Sequence, residues 1–204
     1  MLFTDVYRTI SSRGEGQFKE KGSRFIGLAF PVASENEVKE LLMQMKKEYH
    51  DARHHCFAYI LGADKAAFRI NDDGEPSGSA GRPIYNMLLS NDLTNIVVVV
   101  VRYFGGVKLG IPGLINAYKN ATLEALNSTQ IVEMIVYEVY RINFSYLVMN
   151  EVMRVVKEHA LVVVRSDFDL NCALEVLIRK SDALKITTSF MKIEGVKTQF
   201  LHNR

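Results

Sequence analysis

Residues 95–118, NIVVVVVRYFGGVKLGIPGLINAY, decide how the rest of the chain is arranged. Ile96 to Val101 are β-branched without exception. An unbroken run of this kind reads as a strand buried on both faces, because a strand with one wet face would alternate. The run ends at Arg102-Tyr103-Phe104, breaks at Gly105-Gly106 and re-emerges at Leu114 in helical spacing. Gly105, Gly106, Gly110 and Gly113 let the backbone turn sharply and come close to a neighbour. Arg102 and Lys108 bracket the loop, and no acidic residue lies between Asp92 and Glu124. A basic, glycine-rich connection between a buried strand and a helix start can accept an anion.

Working outward, 204 residues predict two domains, and 48% apolar residues are enough to build their cores. With 25 basic and 23 acidic side chains the net charge is only +2. Any nucleic-acid role then depends on a local patch rather than on bulk charge. Cys56 and Cys172 show no ligand spacing and read as buried thiols of a reducing cytoplasm. No apolar run approaches the ~20 residues of a spanning helix. The start, MLFTDVYRTISS, lacks a basic region followed by an apolar stretch, so no secretory leader is expected. A soluble cytoplasmic protein without membrane contact is the expectation.

Strands are predicted near Tyr7–Ile10 and over Ser23–Val32, with Gly14, Gly16 and Gly22 breaking the segment between them. Ser34 and Glu37 form a capping box that opens a helix reaching about Tyr49. His54–Leu61 and Ala66–Ile70 read as strands, and Asn71–Gly81 as a loop. Pro83 suits the first turn of the next helix. After the organising strand, a helix runs from Leu114 to about Asn127. Beyond a boundary placed near Ser128–Ile135, the predicted order is strand Val136–Tyr146, helix Val148–Ala160, strands Leu161–Arg165 and Ala173–Arg179 about a turn at Asp167–Asn171, helix Ser181–Met191 and strand Val196–Leu201. This β-α-β-β-α-β order is the ferredoxin-like split unit. The predicted domains are residues 1–132 and 133–204.

Three groups of residues carry candidate chemistry. Arg102, Tyr103, Gly105, Gly106 and Lys108 form either a phosphate-binding turn or a tight turn whose cations are merely solvated; no nucleotide fingerprint decides between them. Asp72, Asp73 and Glu75 place three carboxylates in four residues, followed by Ser77. Their spacing fits no calcium loop, which favours a solvated turn over metal chemistry. In that turn Asp73-Gly74 reverses the chain, Ser77 or Ser79 caps the next helix, and the loop is tied to Arg82 or Arg102. Arg53-His54-His55 opens a strand, where adjacent side chains point to opposite faces and only Cys56 shares the His54 face. Zinc and acyl-transfer chemistry both lack the further residues they need. Among the aromatic residues, Phe104 and Tyr118 are expected in the core, and Tyr103 is the candidate for base stacking.

Three blocks, ARHHCFAY at 52–59, DDGEPSGSAG at 72–81 and VRYFGGVKLG at 101–110, together resemble the IMPACT family in its bacterial two-domain, YigZ-like form. The chain departs from the family pattern at Pro112, where a glycine is more usual, and at Asn116, where an arginine is more usual. The resemblance implies an α+β fold. Its N-terminal domain would be of ribosomal-protein type, similar to domain IV of elongation factor G. Its ferredoxin-like C-terminal domain would be similar to domain V of the same factor. The resemblance also implies a part in translational control, since eukaryotic relatives bind a large regulator of an initiation-factor kinase.

Taken together, the expectation is a non-enzymatic RNA- or ribosome-associated protein that needs no cofactor. Arg53, His54, Arg82, Arg102, Tyr103, Lys108 and Lys119 would contact phosphates and bases, while Asp72, Asp73 and Glu75 hold the loop. Two alternatives remain open. One is a protein–protein adaptor binding a regulatory partner, and the other is a metal-assisted hydrolase at Asp72, Asp73 and Glu75 with His54.

Overall fold

The structure, a computed structural model, describes residues 5–169 and 171–204. Contacts divide the chain into two units, residues 7–134 and residues 135–204, with Asp5 and Val6 grouped with the second. The elements in order are β1 (Val6–Ile10), β2 (Gly14–Glu20), β3 (Ser23–Pro31), α1 (Glu35–Glu48), β4 (His54–Leu61), β5 (Ala67–Asn71), α2 (Gly81–Ser90), β6 (Ile96–Tyr103) and α3 (Gly110–Asn127). There follow β7 (Ile131–Ile135), β8 (Tyr137–Ser145), α4 (Met149–Glu158), β9 (Val162–Phe168), β10 (Asn171–Arg179), α5 (Ala183–Met191) and β11 (Lys197–Asn203). No helix among the described residues is long and apolar enough to cross a membrane.

In the first unit a five-stranded sheet runs β2-β3-β6-β4-β5, with every pair antiparallel. The valine ridge is its central strand, and Ile96 to Val101 are fully buried. Alternation along that strand builds two cores. Ile96, Val98 and Val100 pack with α2 and α3, whereas Val97, Val99 and Val101 pack with α1. Burying each such side chain contributes about 1.5–3 kcal/mol, and the ridge contributes to both layers at once. The same parity continues beyond the valines, so Arg102 points to the α3 layer and Tyr103 to the α1 layer.

The capping box at α1 forms as expected. The Glu37 amide donates to Ser34 Oγ at 3.3 Å, and Glu37 Oε2 accepts from the Ala33 amide at 2.8 Å. The segment read as a glycine-broken connection is instead strand β2. Its glycines admit α3 to the sheet: a Cβ on Gly16 would lie 2.4 Å from Glu124, and one on Gly27 in β3 would lie 2.1 Å from the Ala121 carbonyl. Glycine in a strand here marks a close backbone approach rather than a break. The stretch read as an inter-domain connection contains β7, which pairs with β1 in a two-stranded sheet. Helix α3 also starts a turn earlier than Leu114, at Gly110.

The second unit has sheet order β11-β8-β10-β9, all antiparallel, with α4 and α5 closing one face, where Phe190 of α5 joins Ile142, Leu174 and Val176 in one core. That is the ferredoxin-like arrangement expected from the element order. The predicted turn at Asp167–Asn171 includes Leu170, which lies outside the described residues, as do Met1–Thr4 of the stretch read for a leader. Both cysteines are free and buried.

Candidate functional site

The loop after β5 is folded around its own carboxylates. Asp73 and Gly74, with φ of 40° and 86°, occupy the left-handed region at the centre of a turn closed by the Glu75 amide and the Asp72 carbonyl at 2.9 Å. Asp72 then takes the capping role that Ser77 or Ser79 was expected to fill. Its Oδ1 accepts from the amides of Ala80 (3.0 Å) and Gly81 (2.8 Å), and its Oδ2 from Gly78 (2.8 Å). The amides of Gly81, the first residue of α2, and of Ala80, its N-cap, are thereby satisfied from nine and eight residues upstream, together with that of Gly78 in the preceding turn, a separation at which the N-cap pattern cannot be read. Ser79 Oγ turns back to the Pro76 carbonyl instead, at 2.6 Å. Asp73 Oδ2 accepts from the His55 amide at 2.7 Å, and the Asp73 carbonyl accepts from His54 Nδ1 at 2.8 Å.

Glu75 points the other way, into the α3 layer. Its Oε1 accepts from Arg102 Nη1 at 2.6 Å and from the Tyr118 hydroxyl at 2.8 Å. Cys56 Sγ lies 3.2 Å from that hydroxyl and 3.0 Å from the Asp72 carbonyl. Burial pushes both the Cys56 thiol and the Tyr118 phenol well above their usual ranges, and the neighbouring carboxylate adds to the effect. Both groups therefore stay protonated as hydrogen-bond donors. The three carboxylates serve three different sets of partners. Among the described residues no group of three or more His, Cys, Asp or Glu side chains is arranged to hold a metal ion.

Above this network lies a cavity of about 450 Å³ lined by Arg53, His54, Glu75, Arg102, Phe104 and Lys108, with Leu109 to Ile111 and Leu114 from the start of α3. Arg53 and Lys108 are exposed and make no ion pair among the described residues, whereas Arg102 is only 6% exposed. Because Arg102 and Glu75 neutralise each other, the charge that the cavity offers to solvent is positive. The Arg102 guanidinium sits between two rings, 5.3 Å from the Phe25 centroid and 5.5 Å from that of Phe104. Gly105 secures the turn that follows: a Cβ there would stand 1.9 Å from the Gly22 backbone, whereas Gly106 is open to solvent.

The structure thus gathers Arg53, His54, Arg102 and Lys108 with Glu75, and sets Arg82 and Lys119 at a neighbouring cavity. The two aromatic assignments are exchanged. Tyr103, on the opposite face of β6, packs against the α1 core, donates its hydroxyl to Asp51 at 2.7 Å and carries the Arg24 guanidinium 4.5 Å from its ring. Phe104, expected in the core, is 49% exposed and lines the cavity. Strand parity is the signal that sequence reading passed over: Phe104 continues the Arg102 side beyond the end of β6, where no helix covers it. Tyr118 is in the core as expected, but its polar end belongs to the site.

Residues 21–126 match the family model described as the Impact N-terminal domain. Over 176 residues the chain is 32% identical to the IMPACT family member YvyE of Bacillus subtilis, an alignment covering 86% of this chain and 81% of the relative. It is 40% identical over 108 residues to the IMPACT family member YigZ of Escherichia coli, covering 52% of this chain and 53% of that one. A crystal structure of a hypothetical protein superposes with a TM-score of 0.75 at 24% identity, over 98% of this chain and 99% of the other. That likeness shows the fold alone.

Proposed function

This chain belongs to the IMPACT family, and we propose that it is a non-enzymatic RNA- or ribosome-associated protein of translational control in the cytoplasm, binding RNA through its N-terminal unit. The observation that carries this reading is the cavity where exposed Arg53 and Lys108 meet the half-exposed ring of Phe104 over a neutral Arg102–Glu75 floor. Two free cations suit phosphates, and an aromatic face suits an unstacked base. No carboxylate in the cavity is left uncommitted to repel a polyanion. The ferredoxin-like unit serves as an interaction or regulatory module. The link to translation comes from the family resemblance.

Titration of the full chain with single-stranded RNA tests this reading. Each phosphate neutralised steepens the fall of log K with log salt by about 0.7. Affinity should therefore drop steeply between low and physiological salt, and Arg53→Ala/Lys108→Ala should weaken binding about tenfold or more. A flat salt response, or unchanged affinity in that variant, overturns it.

One observation favours a second reading, an adaptor for a regulatory protein. Ile111, which lines the same cavity, is 53% exposed, and Val107 and Ile115, four residues to either side, are 51% and 40% exposed. An adaptor would retain its partner after nuclease treatment and in high salt, and the RNA reading predicts loss under both.

A further inference from the structure

Arg82 and Lys119 do not reach the first cavity. They line a second one of about 380 Å³ between α2 and α3, together with Asn86, Met87 and Ile115. On α3, Ile111, Ile115 and Lys119 recur every fourth residue and so share one helix face. Ile111 lines the first cavity, and Ile115 and Lys119 line the second. Across from α3 the same loop borders both, through Pro76 at the first and Gly78 at the second. The two cavities are therefore successive stations along one helix, with Ile111 and Lys119 about 12 Å apart along its axis. Arg82 and Lys119 are exposed and, like Arg53 and Lys108, make no ion pair among the described residues. Neither α2 nor the chain from Leu93 to Leu123 contains an acidic residue.

We infer that the two cavities form one continuous track for single-stranded RNA, with Phe104 as its stacking platform and Arg82 and Lys119 as the phosphate contacts of its far end. This rests on the RNA-binding reading above and adds the strandedness of the ligand and its path. A duplex does not suit the site. Double-stranded RNA is read by shape across about 16 base pairs, far more than a 12 Å run of helix spans, and its stacked bases offer nothing to Phe104. A single strand offers bases to the exposed ring and phosphates to spaced cations, the combination found in sequence-tolerant single-strand grooves. The apolar stripe of Ile111 and Ile115 between the cations suits the faces of bases lying along α3.

The test uses fluorescence anisotropy of the full chain with a labelled trinucleotide, a single strand of about ten nucleotides and the matched duplex. Arg53→Ala/Lys108→Ala should weaken both single strands. Arg82→Ala/Lys119→Ala should weaken the longer strand about tenfold, lower its salt slope by about 1.4 (two phosphates at about 0.7 each), and leave the trinucleotide unchanged. The duplex should bind at least about tenfold more weakly than the longer strand. Circular dichroism of both variants should match the parent, since all four side chains are exposed. If Arg82→Ala/Lys119→Ala leaves the longer strand unaffected, or the duplex binds equally well, the track is wrong while RNA binding at the first cavity stands. If no RNA binds at low salt, the functional reading falls and the track falls with it.

Discussion

Glu75 and Arg102 form an ion pair at 2.6 Å in which the two side chains are 4% and 7% exposed, at the floor of the cavity. Removing one partner strands a buried charge on the other, which typically costs about 3–5 kcal/mol. Glu75→Ala and Arg102→Ala should each lower unfolding free energy by about that amount, read from urea titrations followed by circular dichroism. The combined variant should lose less than the sum of the two, because the single losses share one cause. A loss under about 1 kcal/mol in both single variants would mean that water reaches the pair as it reaches a surface one.

Asp72 holds three amides at the entrance to α2, two on Oδ1 and one on Oδ2. Asp72→Ala leaves all three without that acceptor and should cost about 2 kcal/mol, the upper end for loss of a helix cap. Asp72→Asn keeps one oxygen as acceptor and turns an amide group toward the remaining N–H, so it should recover only part of the loss. Hydrogen exchange at Gly78, Ala80 and Gly81 checks this directly. Unchanged protection at those three amides in Asp72→Ala would remove the capping role.

The valine ridge, the capping box at Ser34 and the β-α-β-β-α-β order were legible in the sequence because each is a local or strictly periodic signal. A tie from the acidic loop to Arg82 or Arg102 was also expected, and Glu75 makes it with Arg102. What escaped was non-local. Gly14 and Gly16 read as chain breaks because only the packed structure shows α3 lying against them. Tyr103 and Phe104 were exchanged because apolarity was weighed above strand parity. The alternation that sorts the valines between two cores also sends Arg102 and Tyr103 to opposite sides. Asp72 caps a helix across eight residues, and no short pattern announces such a reach.

Adjacent glycines in the cavity turn should respond very differently to alanine. At Gly105 a Cβ would meet Gly22 backbone atoms at 1.9 and 2.2 Å and the Ser23 nitrogen at 2.3 Å, and Gly22 itself has φ of 80°, so neither segment can yield cheaply. At Gly106 nothing lies within 4 Å, and the only penalty is a φ of 89°. Gly106→Ala should therefore cost about 1–3 kcal/mol from backbone strain alone, and Gly105→Ala more than that. Thermal unfolding of the two variants gives the order. Equal losses, or a larger one at Gly106, would show that the Gly22–Gly105 crossing opens without cost.

His55 lies on the α1 side of β4, its Nε2 donating to the Tyr49 carbonyl at 3.1 Å. Burial is the main influence on its pKa and pushes it below the usual 6.5, while the Tyr49 carbonyl and Asp73 oppose that shift in part. In the unfolded chain the ring takes up a proton near pH 6.5, and in the folded chain it does so only at lower pH. Between those values the unfolded state binds more protons, so stability falls as pH falls. Above about pH 6.5 the ring is neutral in both states and contributes no slope. His55→Gln keeps a donor for the Tyr49 carbonyl but cannot titrate, so its stability should change less than the parent's as the pH is lowered from about 7.5 to 5. The other four histidines are present in both proteins, so the difference between the two curves belongs to His55. Urea midpoints taken across that range decide the matter: parallel curves would mean that folding leaves the His55 ring as free to charge as it is in the unfolded chain.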